Sequence, residues 1–109
     1  MKHPRALSPL TVEAAKLLGA SVRLGRRRRR WTVAELAERV GVTEATMLKV
    51  EGGDPGVRLG IAFEAAALTG VPLFDEDSSR RALEASRVED RLAVLPQRVR
   101  QPLEADDDF

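Results

Sequence analysis

Apolar residues recur at three- and four-residue intervals along most of the chain, and no segment shows the alternation that favours a β-strand. The first helix is predicted to begin at Pro9, because Ser8 is a favourable N-cap and proline lacks the N–H that a first helical position leaves unpaired. Gly19 and Gly25 are expected to weaken this helix by roughly 1 kcal/mol each where exposed. It ends in the run Arg26–Arg30. Its apolar positions are Leu10, Val12, Ala14, Ala15, Leu18 and Val22.

Two helices of about nine residues, joined by a short turn, are predicted to follow. Thr32 and Glu35 have the spacing of a capping box at the start of the second helix. Gly41 supplies the left-handed residue that ends it. Thr43 caps the third helix, which stops at the glycine-rich segment 52–56. The apolar positions expected to face inward are Leu36, Ala37, Val40, Val42, Met47 and Val50.

A fourth helix is predicted over residues 59–68, where only Gly60 and Glu64 interrupt the apolar residues. A helix that is apolar nearly all round must be buried on more than one side. In so small a domain we expect a second copy of the chain to supply one of these covers. The alternative is a central helix covered by its own chain. The predicted homodimer interface consists of Ile61, Phe63, Leu68 and Phe74.

A fifth helix is predicted to begin near Asp75, Asp77 or Ser78 and to end at Pro96, after which residues 97–109 show no helical period. The chain is therefore predicted to be all-α, with five helices. We divide it into an N-terminal arm (1–8), a four-helix domain (9–74), a C-terminal helix (75–96) and an extended acidic tail (97–109). The apolar stripe assigned to the fifth helix is Leu83, Val88, Leu92 and Leu95.

The net charge of +1 conceals a polarised distribution. Residues 1–31 hold nine basic side chains and one acidic side chain, whereas residues 72–109 hold six basic and ten acidic ones. This asymmetry suggests one anionic partner and a second, different partner. The absence of cysteine favours a cytoplasmic protein. No catalytic residue, metal site or cofactor is predicted, since His3 lacks a plausible partner and Asp106–Asp108 resemble a solvated acidic patch.

The segment from Trp31 to Glu51 has the spacing of a helix-turn-helix. Ala37 is small enough for the two helices to approach, and Gly41 suits the turn. The sequence TVAELAERVGVTEATMLKVE followed by GGDP resembles the Xre/phage-repressor family over about residues 18–71. The resemblance implies a lambda-repressor-like fold and binding to double-stranded DNA with a palindromic operator. A helical hairpin without a DNA role is the alternative.

The resemblance also implies which side chains meet DNA. Lys49 suits a guanine edge, and Ala45 suits a thymine methyl group. Glu44 either accepts from a cytosine amino group or stabilises the helix N-terminus. Related repressors pair an arginine of the first helix with the glutamate that ends the recognition helix, which here implies a structural pair between Arg26 and Glu51. The complete set of expected DNA-binding residues is Thr43, Glu44, Ala45, Thr46, Lys49, Arg27, Arg28, Arg30 and Thr32.

A narrower resemblance, to HipB-type antitoxins, is carried by VEGGDPGVRLG and by a C-terminal segment that runs from LPQRVRQP to DDDF. It implies an autorepressor that neutralises a HipA-type serine/threonine kinase toxin. The alternatives are a stand-alone Xre-type regulator without a toxin partner and an inert, solubilising tail. The residues expected to bind the toxin are Val99, Leu103, Asp107 and Phe109.

Overall fold

The computed structural model describes residues 6–98, which form helices and connecting turns without a β-strand. The all-α prediction is therefore confirmed. The chain divides into two units between Leu73 and Phe74. Four helices belong to the first unit and one to the second. They are α1 (Pro9–Arg28), α2 (Val33–Val40), α3 (Glu44–Glu51), α4 (Leu59–Leu68) and α5 (Ser78–Val94).

Side-chain caps fix where the first three helices begin. Ser8 accepts a hydrogen bond from the backbone N–H of Thr11, the third residue of α1. At α2 the capping box is complete, since Glu35 N donates to the Thr32 hydroxyl and Thr32 N donates to the Glu35 carboxylate. Thr43 caps α3 in the same way as Ser8 caps α1. Gly41 ends α2 with φ of 89°, a backbone conformation that favours glycine.

The core of the first unit lies where α1, α2, α3 and α4 meet. Each helix contributes small or branched aliphatic side chains to one cluster, which Leu18, Ile61 and Leu68 extend as partly buried neighbours. This core contains few large side chains for a unit of four helices, so its packing depends on close approach between the helices. The buried cluster consists of Val22, Leu36, Ala37, Met47, Val50, Ala65 and Ala66.

Glycines of α1 allow the closest helix contacts. A Cβ atom on Gly19 would lie 2.7 Å from the Glu51 carbonyl oxygen and 2.9 Å from the Gly53 nitrogen. A Cβ atom on Gly25 would lie 2.8 Å from the Thr69 Cβ. Both glycines are buried. The loss of stability expected for exposed glycines therefore does not apply at these two positions, because each glycine admits backbone from the end of α3 or α4.

The first unit itself covers much of α4. Ala65 and Ala66 are buried in the core, and Ile61 and Leu68 pack against it. Phe63 is also only partly exposed. The apolar surface of α4, which suggested a second copy of the chain, is therefore covered in large part by the first unit itself. A dimer through this helix stays a prediction.

In the second unit, α5 begins after the N-cap Asp77, one of the three predicted caps, and has no buried residue. Val88 and Leu92 lie on one face of the helix, together with Ala85. Leu83 does not belong to this stripe, since nine residues at about 100° each place it on the side opposite Leu92. Phe74 is 64% exposed and lines a groove of about 400 Å³ along the Ala85–Val88 face.

Candidate nucleic-acid interface

The recognition helix α3 has one buried face and one exposed face. Met47 and Val50 point into the core. Ala45 and Lys49 are exposed on the opposite side of the helix, and Glu44, the first residue of α3, is exposed at the edge of the buried face. We call the exposed surface that runs from Glu44 through Ala45 to Lys49 the α3 outer face.

Thr43 and Thr46 contact each other at the start of α3. The Thr43 hydroxyl accepts from Thr46 N at 3.1 Å and donates to the Thr46 hydroxyl at 3.0 Å. This arrangement fixes the first turn of the helix. Because the Thr46 hydroxyl accepts within the pair, its own proton remains available to an outside acceptor. Thr43 therefore acts first as a cap, and its contact with DNA stays a prediction.

Two residues beyond the predicted set lie at the same surface. Leu48 is 55% exposed and, by its helical position, lies between Glu44 and Lys49 on the α3 outer face. Arg58, immediately before α4, lines a surface depression of about 340 Å³ together with Thr46 and Lys49. The three- and four-residue spacing of Leu48 from Glu44 and Ala45 indicates its position from sequence alone. Nothing in the sequence indicates that Arg58 approaches Lys49, because a loop separates them.

Arg26 and Glu51 form a buried, bidentate ion pair. Arg26 Nε lies 2.6 Å from Glu51 Oε2, and Arg26 Nη2 lies 3.0 Å from Glu51 Oε1. The two residues are only 8% and 4% exposed. Arg26 Nη1 also donates to the Trp31 carbonyl, and Arg23 Nη2 donates to the Glu51 carbonyl. The end of α3 is thereby fixed to α1 and to the turn before α2, which sets the direction in which the α3 outer face points.

The five consecutive arginines have different surroundings. Arg26 is occupied by Glu51, and Arg29 Nη1 donates to the Thr69 carbonyl at 2.7 Å and the Gly25 carbonyl at 3.2 Å. Arg29 thus satisfies carbonyl groups near the ends of α1 and α4. The remaining three are exposed, and they are the three predicted to contact phosphates: Arg27, Arg28 and Arg30.

At the start of α2 a carboxylate occupies the position where a helix attracts anions. The pKa of Glu35 is lowered, chiefly because its carboxylate accepts from Thr32 N and also interacts with the Thr32 hydroxyl. Thr32 thus uses both its N–H and its hydroxyl inside the capping box. The backbone N–H of Thr32 is therefore not free for its predicted contact with DNA.

Other kinds of site have little support within residues 6–98. No group of three acidic or histidine side chains in this range is arranged to hold a metal ion. None of its helices has both the length and the hydrophobicity of a membrane span. The residues predicted to bind a toxin, Val99, Leu103, Asp107 and Phe109, lie outside the described residues.

Comparison with known protein families identifies the kind of domain that carries the α3 outer face. The helix-turn-helix domain family matches residues 17–78, more than half of the chain. The matched segment contains the whole of α2, α3 and α4. No curated protein and no solved structure gives a significant match. In such domains the second helix of the motif is the one that enters the major groove of DNA. The chain therefore belongs to the helix-turn-helix domain family.

Proposed function

We propose that this protein is a sequence-specific transcriptional repressor that contacts operator DNA through the α3 outer face. The main support for this proposal is the orientation of α3. Its inner face is buried, its end is held by the Arg26–Glu51 pair, and its outer face is exposed to solvent. A helix presented in this way suits the major groove, where side chains discriminate among base pairs.

The residues of the outer face suit three kinds of base edge. Lys49 donates to guanine O6 and N7, and Glu44 accepts from the cytosine amino group. Ala45 and Leu48 are apolar and suit the methyl group of thymine. The exposed arginines at the end of α1 contact phosphates, which orient the protein without reading sequence. As a homodimer, the protein would bind two half-sites about 34 Å apart.

Two substitutions test this division between base and phosphate contacts. After an operator has been selected from random DNA, Lys49→Ala should lose about 1–3 kcal/mol of binding free energy and relax preference at one base position. Arg28→Ala should weaken all sequences alike. A uniform loss for both variants would remove Lys49 from the base-reading residues. Failure of the wild-type protein to enrich any sequence would contradict the proposal as a whole.

The second part of the proposal is that the repressor is also the antitoxin of a type II toxin–antitoxin system, with a HipA-type kinase as its toxin. The HipB-like sequence segments and the acidic residues at the end of the chain support this role. The exposed apolar face of α5, with its groove beside Phe74, supports protein binding by the second unit. The alternative is a stand-alone Xre-type regulator, for which α5 needs no foreign partner.

Copurification with the product of the adjacent gene distinguishes an antitoxin from a stand-alone regulator. A chain ending at Pro96 lacks the predicted toxin-binding residues and should capture less of a kinase toxin than the full chain. Val88→Glu should also reduce capture, whereas Val94→Glu should not, because Val94 lies on a different face of α5. Equal capture by all four proteins would deny both the tail and α5 a role. An adjacent gene product without kinase activity would favour the stand-alone regulator.

A further inference from the structure

A second apolar stripe runs along the outside of α1. Leu10, Leu17 and Leu24 are 73%, 69% and 51% exposed, although they belong to the best-packed unit of the molecule. The three leucines recur every seven residues, and the small residues Ala14 and Ser21 fall between them. We call these five positions the α1 seam. It is distinct from the face that carries Val22 into the core.

Alternating spacings of three and four residues are those of a coiled-coil interface, in which apolar side chains of one helix insert between those of another. Ala14 and the three leucines of the α1 seam are exposed in the first unit, and Ser21 is partly exposed. The inward face of α1 already has its partners in α3 and α4. The fold of a single chain therefore does not require the leucines of the α1 seam.

We propose that the α1 seam binds the α1 seam of a second copy of the chain, with the two helices antiparallel. Side-chain size is the first reason. In antiparallel pairs the two kinds of seam position face each other, so a leucine can meet a small residue of the second copy. With Leu17 facing Ser21 of the second copy, Ala14 faces Leu24, and these central layers have similar volumes. In this register Leu10 faces Arg28 at the end of the second helix. A parallel pair would place leucine on leucine and alanine on alanine.

Charge is the second reason. Arg27, Arg28 and Arg30 crowd the C-terminal end of α1, and a parallel pair would bring both sets of arginines together. An antiparallel pair places them at opposite ends, which lowers like-charge repulsion. In the same register, Glu13 of one copy lies within about 3 Å along the axis of Arg27 of the other. The symmetry of the pair makes this contact twice.

The proposed contact is small, since one seam covers less than the roughly 800 Å² per partner that is typical of stable complexes. We therefore expect a dimer that dissociates on dilution in the micromolar range. Its formation does not depend on DNA binding, so failure of the proposed repressor function would leave this inference standing. A seam dimer is also separate from the predicted dimer through α4.

Sedimentation velocity over a range of concentrations tests the inference with the full chain. Leu17→Glu should weaken self-association about tenfold or more, because it places charges in the seam. Leu59→Glu is the matched control, since Leu59 is 67% exposed but belongs to α4. Circular dichroism checks that both variants keep their helices. A wild-type chain that stays monomeric, or a dimer that Leu17→Glu leaves intact, would overturn the proposal.

Disulfide trapping tests the orientation of the helices, since the chain has no cysteine of its own. Mixed Glu13→Cys and Arg27→Cys chains should cross-link with each other under mild oxidation. Glu13→Cys alone should not, because the two copies of residue 13 are about 18 Å apart along the axis in this register. Cross-linking of Glu13→Cys with itself would indicate parallel helices and would overturn the antiparallel arrangement.

Discussion

Arg30 adopts a left-handed backbone conformation, with φ of 60°, in the turn between α1 and α2. It is the one residue other than glycine with positive φ among residues 6–98. For a residue with a Cβ atom this conformation costs roughly 1–2 kcal/mol. Backbone strain of this kind is concentrated at functional positions, where a particular side chain is retained in spite of its cost.

Arg30→Gly should therefore separate stability from DNA binding. We expect the free energy of unfolding to stay the same or to rise by up to about 1 kcal/mol, because glycine adopts this conformation freely but loses more chain entropy on folding. Binding to DNA of any sequence should weaken, since a phosphate contact is lost. Urea denaturation and DNA titration measure the two effects. A less stable variant with unchanged DNA affinity would show that Arg30 serves the fold instead.

The Arg26–Glu51 pair is the residue-scale contact on which the orientation of α3 depends. Glu51→Gln leaves the buried Arg26 guanidinium without its charged partner, so we expect a loss of about 3–5 kcal/mol in the free energy of unfolding. DNA affinity should fall as well in conditions where the variant is folded. Urea denaturation and binding to a selected operator check both effects. Unchanged stability and binding would mean that the pair has no structural importance.

At the scale of elements, helix contact in the first unit depends on the absence of side chains at particular positions of α1. Gly19→Ala should destabilise the protein by about 1–3 kcal/mol, because the new methyl group meets backbone at the end of α3. Gly60→Ala is the matched control. It lies in α4 with nothing within 4 Å of the added Cβ, so it should stabilise by up to about 1 kcal/mol. Thermal melts of both variants give the comparison, and a stabilising Gly19→Ala would contradict the close packing described for α1.

The capping box of α2 makes a pH-dependent contribution to stability. The pKa of Glu35 is lower in the folded protein than its ordinary value, because the ionised carboxylate accepts from Thr32 N. The folded state therefore favours the ionised form, and the contribution is present above the ordinary glutamate pKa. It is lost as the pH falls through the lowered pKa of the folded state.

Glu35→Gln should accordingly destabilise the protein at neutral pH and have a smaller effect in acid. Urea denaturation of wild type and variant across this range measures the difference. Glu38→Gln, an exposed carboxylate change on the same helix, is the control. Equal stability of Glu35→Gln and wild type at every pH would assign the role of Glu35 to the hydrogen bond, which a glutamine amide oxygen also accepts, instead of the charge.

At the scale of the whole molecule, the exposed arginines make DNA affinity depend on salt. Each phosphate contact should add about 0.9 to the slope of log affinity against log salt concentration. Arg27→Gln, Arg28→Gln and Arg30→Gln should each reduce that slope by about one. Arg29→Gln should leave the slope nearly unchanged, because Arg29 is held by the Thr69 carbonyl. A slope that none of the four substitutions alters would place the phosphate contacts elsewhere.

The sequence by itself determined the elements and the family resemblance. Ser8, Thr32, Thr43 and Gly41 act within one turn of their own positions, so caps and helix ends are readable from local spacing. The outer and inner faces of α3 follow from the helical period alone. The 25-residue separation of Arg26 and Glu51 became informative only through the resemblance to related repressors.

Only the tertiary structure decided which apolar surfaces stay uncovered, because burial depends on which helices meet and how closely. It showed that Gly19 admits the end of α3, that α4 is largely covered by its own unit, and that three leucines of α1 face outward: Leu10, Leu17 and Leu24. It also showed that the Arg29 side chain binds backbone carbonyl groups. A sequence pattern gives the direction in which a side chain points around its own helix. Whether that side chain makes a contact depends on where a second helix lies, which only the tertiary structure gives.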